Sequence, residues 1–128
     1  MPAYNFKKKF AKLVESGEKR QTIRKARKRP TVVGDPLYLY TGMRTKECRK
    51  LLETTCCRVI PIHICYDHII LQTEEKQAVV YYWDTVEAKK IVKDDGFENW
   101  GEFIDFFREA YELPFYGKLI FWSKPCYN

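Results

Sequence analysis

Apolar residues near the start of the chain recur at the spacing of an amphipathic helix. Four of them fall on one side of such a helix, with lysines between them: Phe6, Phe10, Leu13 and Val14. Gly17 follows, and glycine takes the positive φ that commonly ends a helix without a steric penalty. The pattern predicts a first helix over residues 6–15 with one apolar face, ending at Gly17.

Most of the remaining apolar runs have the period or the composition of β-strands. The predicted strands are residues 21–24, 37–40, 57–66, 68–71, 78–83 and 117–122. The pair 68–71 and 78–83 predicts a hairpin, and Pro61 predicts an edge position or a bulge for its strand. Residues 41–50 are polar and contain Gly42, so they are predicted to form a loop with a turn of helix.

Two further helices are predicted in the C-terminal half. The run Asp84-Thr85-Val86-Glu87 has the pattern of a capping box, which predicts a helix that ends before Gly96. Asn99 and Glu102 repeat that pattern. An aromatic stripe typical of a core-facing helix follows: Trp100, Phe103, Phe106, Phe107 and Ala110.

The order of these elements indicates the fold class. Strands outnumber helices, and the helices occur in two places instead of alternating with each strand. This order predicts an α+β fold with a mixed or antiparallel sheet curled into a small barrel. The sequence has no repeat, no low-complexity tract and no linker, so one domain is predicted over residues 1–128.

Positive charge is concentrated in the first quarter of the chain. The formal net charge is +6, yet residues 7–29 alone contain eleven Lys or Arg and only two acidic residues. A basic surface favours an anionic partner, either nucleic acid or an acidic membrane face. A charge run can also be a solvated face, but this concentration favours contact with phosphate.

Residues 17–24 place a candidate base, a candidate nucleophile and anion-binding groups in one short segment. In a strand Thr22 and Arg24 share a face, so Lys19 meets Thr22 only if the chain bends between them. A threonine nucleophile needs a nearby base, and a lysine serves only if its pKa falls from about 10.4 toward 7 or 8. Burial and the neighbouring Arg20 and Arg24 would act in that direction. Alternatively, charged Lys19 and Arg24 pair with phosphates while Thr22 donates a hydrogen bond.

Metal and membrane chemistry are not indicated. The five cysteines show no Cys-x-x-Cys spacing, and only two histidines accompany them. No metal and no cofactor are therefore predicted. The N-terminus lacks the apolar segment of a signal peptide, and no apolar run approaches the length of a membrane span. The sequence predicts a soluble cytoplasmic protein with reduced thiols.

Four motifs, in this order, give the chain a family resemblance. They are Gly17-x-Lys19-x-x-Thr22-x-Arg24, Gly34-Asp35, Tyr40-Thr41-Gly42-x-Arg44-Thr45 and Asp94-Asp95-Gly96-Phe97. Together they resemble the ASCH domain over nearly the whole chain. The resemblance implies a PUA-like fold, in which helices flank a small β-barrel with a basic cleft suited to RNA or nucleotides.

The resemblance also implies a catalytic alternative. Some small bacterial ASCH proteins are amidohydrolases that remove the acetyl group from the 4-amino nitrogen of acetylated cytidine, and others are ribonucleases. By that resemblance Lys19 corresponds to the proton acceptor and Thr22 to the nucleophile. The family's glutamate proton donor corresponds to Asp95, which is one methylene shorter, or to Asp94 if the alignment shifts. The long basic tract after Arg24 favours a polymer over a free nucleoside.

RNA or nucleotide binding through a basic cleft is the predicted function. The residues predicted to contact the ligand are Lys19, Arg20, Arg24, Lys25, Arg27, Lys28, Arg29, Tyr40 and Arg44. Tyr38, Tyr40 or Trp83 are the side chains expected to stack on a base. Hydrolysis of an acetylated cytidine amide or of RNA is the alternative. A third interpretation is an interaction module whose basic face docks an acidic protein, and the oligomeric state stays open.

Overall fold

The computed structural model describes residues 3–73, 75 and 77–122 of the chain. Within them it contains eight strands and three helices. In chain order they are β1 (Ala3–Phe6), α1 (Lys8–Ser16), β2 (Gln21–Arg24), β3 (Pro36–Thr41), β4 (Arg49–Thr55), β5 (Arg58–Ile64), β6 (His68–Gln72), β7 (Ala78–Tyr82), α2 (Val86–Asp94), α3 (Trp100–Ala110) and β8 (Phe115–Phe121). The predicted α+β class is confirmed.

The strands are grouped in two sheets. One has the order β1-β3-β4, with β1 parallel to β3 and β3 antiparallel to β4. The other has the order β2-β8-β5-β6-β7, and its β5-β6-β7 part is antiparallel. No closed barrel is found among the residues that the structure describes.

Two compact units can be distinguished in the chain. Unit 1 comprises Met1–Thr22, Arg27–Val59 and Ile120–Asn128, and unit 2 comprises Ile23–Ala26 and Ile60–Leu119. The assignment of residues 1–128 to one domain stays a prediction.

The core of unit 1 lies between α1 and the strands β1, β3 and β4. Leu37 and Leu39 are fully buried while the tyrosines that alternate with them are half-buried, as the sequence pattern predicts. From α1 the apolar side is buried, including Phe10 and Val14. The ring of Phe6 packs edge-on against Trp122 at 6.0 Å. The predicted apolar face is confirmed for Phe10 and Val14, whereas Leu13 is half-buried and Phe6 belongs to β1 instead of the helix.

The core of unit 2 contains an aromatic cluster beside its buried aliphatic residues. Phe103 and Phe107 from α3 are buried, with ring centroids 5.0 Å apart. Phe97 lies 5.5 Å from Phe103, and Phe115 lies 5.0 Å from Phe107. The aromatic stripe therefore serves packing, as predicted. Among the described residues, none of the helices has the length and apolar character needed to span a bilayer.

Two strands were not predicted, and both depend on pairing with distant residues. β1 occupies Ala3–Phe6. Its buried residues, Tyr4 and Phe6, are two positions apart, as in a strand, but Phe6 is also the first residue of the helical spacing. β4 begins at Arg49, inside the predicted loop, and its partly exposed pattern gives little sequence signal. Each strand is defined by its register against β3.

Of the two predictions for Pro61, the edge position is wrong and the bulge stays a prediction. β5 lies between β8 and β6 in the sheet order. Its register with β6 runs from Ile62 to Ile64, just beyond the proline. Pro61 therefore lies outside that paired segment, where its missing N–H costs no bond to β6.

The caps of α2 and α3 come from side chains. The amide of Ala88 donates to Thr85 Oγ1 at 3.2 Å, so Thr85 caps α2, one residue after the start of the predicted capping box. The amide of Glu102 donates to Asn99 Oδ1 at 2.9 Å, which confirms the predicted cap of α3.

Replacing Thr85 with alanine is expected to lower the free energy of unfolding by about 1 kcal/mol, because an orphan amide of α2 loses its acceptor. Urea denaturation measures this loss. Asp84→Ala is the matched control, since Asp84 is exposed and precedes the cap. A larger loss for Asp84→Ala than for Thr85→Ala would contradict the observed cap.

Candidate functional site

The segment that carries Lys19 and Thr22 begins with a turn that ends α1. Gly17 has φ 84°, and its amide donates to the carbonyl of Val14 at 3.3 Å. The amide of Lys19 donates back to the carbonyl of Leu13 at 2.9 Å. Arg20 Nε donates to the Gly17 carbonyl at 2.9 Å. The chain therefore turns just after Gly17, before Lys19, and a meeting of Lys19 with Thr22 stays a prediction.

Lys19 is a buried lysine. Only 3% of it is exposed, and its Nζ lies 5.2 Å from the ring centroid of Phe10 and 5.7 Å from that of Phe6. These rings attract a cation through their π faces. Lysines are rarely buried, because the charged amine loses its hydration. Lys19 is thus not the solvated surface lysine that a charge run would ordinarily contain.

Thr22 lies on a strand that is buried over most of its length. Gln21 is 1% exposed and Thr22 is 4% exposed, whereas Arg24 at the strand end is half-buried. Five polar or charged side chains are buried in the described part of the chain, and three of them, Lys19, Gln21 and Thr22, belong to this one segment. Every buried side-chain nitrogen and oxygen there has a hydrogen-bond partner. Sequence reasoning missed Gln21, whose only signal was its position between Lys19 and Thr22.

Asp95 is also buried, with 4% of it exposed. It follows α2 at the start of a Schellman turn. In that turn the Gly96 amide donates to the carbonyl of Lys93 at 2.9 Å, and the Phe97 amide donates to the carbonyl of Val92 at 3.1 Å. Gly96 has φ 96° and Phe97 is buried. Backbone geometry therefore accounts for the glycine and phenylalanine of the motif, but it requires neither an aspartate at position 95 nor its burial.

The basic tract that follows β2 is exposed. Lys25, Arg27, Lys28 and Arg29 all have exposed side chains, as does Arg20 before the strand. In the part of the chain that the structure describes, Lys25, Lys28 and Arg29 have no acidic ion-pair partner. Their charges are therefore available to an anionic ligand.

Arg27 is held against β1 by two contacts. Its Nη2 donates to the carbonyl of Ala3 at 2.6 Å, and its guanidinium carbon lies 3.9 Å from the ring centroid of Tyr4. The Tyr4 hydroxyl is 2.6 Å from Thr31 Oγ1 at the far end of the tract. Arg27 is therefore fixed within unit 1, while Lys28 and Arg29 beside it face solvent.

The loop between β3 and β4 has a tightly constrained backbone. Gly42 has φ 64°, and a Cβ there would lie 2.9 Å from the carbonyl oxygen of Glu47. Thr45 Oγ1 donates to the Gly42 carbonyl at 2.6 Å. Arg44 has φ 67°, a conformation that costs energy in a residue other than glycine, and its side chain is exposed. The loop thus presents Arg44 from a fixed backbone.

A concavity of about 490 Å³ lies in unit 1 beside this loop. Its lining includes Lys7, Lys8, Thr41, Gly42 and Arg49. Arg49 is paired with Glu15 at 2.5 Å, so much of its charge is neutralised.

The aromatic side chains expected to stack on a base differ in exposure. Tyr38 and Tyr40 are half-buried on β3, and Trp83 is 51% exposed. The motif Gly34-Asp35 forms a turn, in which Asp35 Oδ2 accepts from the Val32 amide at 3.0 Å. That motif therefore has a structural role.

Three of the described cysteines have a pKa above the ordinary value of a thiol. Burial raises the pKa of the Cys56 thiol, and desolvation also raises the pKa of Cys57 and of Cys65. The thiolate is the reactive form, so a raised pKa makes these thiols less reactive at neutral pH. Cys126 lies outside the described residues. Across the described ranges, no three side chains of the metal-binding types are grouped together.

No family model matches this chain, and neither a curated protein nor a solved structure matches it.

Proposed function

We propose that this protein binds RNA or a nucleotide through the basic tract that follows β2. The observation that carries the proposal is that Lys25, Lys28 and Arg29 are exposed and lack acidic partners within the described residues. Side chains of this kind contact phosphate and supply most of the sequence-independent affinity for nucleic acid. The resemblance to the ASCH domain supports the same function and extends the proposal to a PUA-like barrel.

The test is binding of a labelled single-stranded RNA of about ten nucleotides, a length typical of single-strand binding modules. Fluorescence anisotropy is measured over a series of salt concentrations, with DNA of the same sequence and heparin as competitors. The proposal expects RNA to bind more tightly than DNA and heparin to compete poorly at equal charge. Equal competition by all three polyanions would contradict it and would favour a module that docks an acidic protein.

Hydrolysis is the second candidate function. The observation that favours it is the burial of Lys19, Thr22 and Asp95, the residues to which the ASCH resemblance gives catalytic roles. A lysine base must be neutral when it takes a proton, and an aspartic acid donor must be protonated when it gives one. By that resemblance Thr22 would attack the acetyl carbonyl of 4-N-acetylcytidine, Lys19 would take its proton, and Asp95 would protonate the leaving amine. Water would then cleave the acetyl-threonine ester, which releases acetate and restores Thr22.

Lys19→Ala and Thr22→Ala are each expected to lower the turnover of acetylated cytidine about a hundredfold or more, the usual contribution of a positioned base or its nucleophile. Release of cytidine measures turnover, and cleavage of a labelled RNA in parallel tests a ribonuclease. Lys12→Ala and Thr31→Ala are matched controls, one an exposed lysine of α1 and the other a buried threonine outside the segment. Absence of turnover of either substrate in the wild-type protein would contradict the hydrolase.

A further inference from the structure

Unit 2 contains a concavity that the sequence motifs did not indicate. Its volume is about 520 Å³, within the range of small-molecule sites, which run from about 300 to 1,000 Å³. The side chains that line it include Lys25, Tyr111, Glu112, Phe115 and Tyr116. It therefore combines aromatic rings with the first cation of the basic tract.

The rings of this concavity are held by the core of unit 2. Phe115 is buried, and its ring centroid lies 4.7 Å from that of Tyr111. Tyr116 is 58% exposed, yet its ring meets His63 edge to face at 4.5 Å with an interplanar angle of 80°. Tyr116 thus combines a fixed ring position with a large exposed area.

Gly117 allows the ends of β2 and β8 to approach each other. A Cβ on Gly117 would lie 2.4 Å from the carbonyl oxygen of Arg24 and 2.7 Å from two ring carbons of Phe115. Only glycine fits this approach. Lys25 directly follows Arg24 and Tyr116 directly precedes Gly117, so the same contact places the cation beside the exposed ring.

We propose that this concavity is a nucleobase subsite of the RNA-binding surface, with a base stacked on Tyr116 and the adjoining phosphate on Lys25. The proposal rests on the proposed function and specifies its ligand as single-stranded RNA. Aromatic side chains stack on unpaired bases of any sequence, and a neighbouring lysine contacts the backbone. The carboxylate of Glu112 disfavours a second phosphate, so the concavity suits a base better than more backbone.

The other exposed aromatic residues of unit 2 provide a comparison. Tyr66 is 62% exposed, slightly more than Tyr116, but it does not line the concavity that contains Lys25. If each tyrosine contributed only apolar surface, alanine at position 66 and alanine at position 116 would have the same effect on RNA binding. Comparing the Tyr66 and Tyr116 variants therefore distinguishes a specific nucleobase subsite from nonspecific apolar binding.

The experiment measures binding of a single-stranded RNA of about ten nucleotides by anisotropy and by the fluorescence of 2-aminopurine within it, which stacking quenches. Tyr116→Ala is expected to weaken binding about tenfold and to abolish the quenching, since one stacked base is lost. The dependence on salt should not change, because no phosphate contact is removed. Lys25→Ala should instead lower the slope of log K against log salt by about 0.7.

Three further variants complete the design. Tyr66→Ala and Tyr116→Phe should bind and quench like the wild-type protein. Tyr116→Leu keeps apolar packing against His63 without an aromatic face, so it should lose quenching even if Tyr116→Ala proves unstable. Wild-type affinity and quenching in Tyr116→Leu and Tyr116→Ala would overturn the subsite while leaving RNA binding intact. Failure of the wild-type protein to bind RNA would instead overturn the proposed function, and the subsite with it.

Discussion

Replacing Lys25, Lys28 and Arg29 together with glutamine is expected to weaken RNA binding about fiftyfold near physiological salt. Each phosphate contact on a single strand contributes about 0.7 to the slope of log K against log salt, so three lost contacts lower it by about 2. The effect follows from the exposed, unpaired state of these side chains in the described chain. Anisotropy titrations at several salt concentrations measure both quantities.

The control removes the same charge from another surface. Lys89, Lys93 and Arg108 are exposed on α2 and α3, and their triple glutamine variant changes the net charge equally. If net charge alone drew RNA to the protein, both variants would lose affinity alike. A matching loss in the control would thus contradict a localised binding tract.

Gly117→Ala is expected to lower the free energy of unfolding by about 1–3 kcal/mol, the usual cost of forcing extra atoms into a packed site. The new Cβ would overlap the Arg24 carbonyl at 2.4 Å, and backbone cannot rotate aside as a side chain can. Urea denaturation with a constant m-value would identify the change as a loss of stability.

Gly101→Ala is the matched control, and its expected effect has the opposite sign. Gly101 is exposed in α3, and the nearest atom to an added Cβ is Asn99 Oδ1 at 3.4 Å, an ordinary contact. Alanine in a helix is favoured over glycine by about 0.5–1 kcal/mol. A Gly117→Ala variant as stable as the wild-type protein would show that β2 and β8 do not approach this closely.

Elements whose signals are local were predictable from the sequence. The end of α1 at Gly17, the Asn99 cap and the β6-β7 hairpin each depend on residues a few positions apart. β1 and β4 were missed because each is defined by its register with β3. The edge position predicted for Pro61 was wrong for the same reason, because the strands on either side of β5 come from segments that are distant in sequence.

Only part of the candidate site was predictable from the sequence. Residue types and spacing pointed to Lys19 and Thr22, but a lysine in a basic segment gives no sign that it is buried against two phenylalanine rings. The subsite around Tyr116 was not predictable, because Lys25 is distant in sequence from the tyrosines that line the same concavity. Its only signal was Gly117, whose need for close backbone approach becomes visible in three dimensions.

The stacking of Arg27 on Tyr4 has a consequence for the thermodynamics of association. A free polycationic segment loses conformational entropy when it becomes ordered on a ligand, and this loss offsets part of the electrostatic attraction. Here the guanidinium is already bound to the Ala3 carbonyl and the Tyr4 ring. The tract is preorganised at its centre, so more of the attraction between its cations and phosphate contributes to affinity.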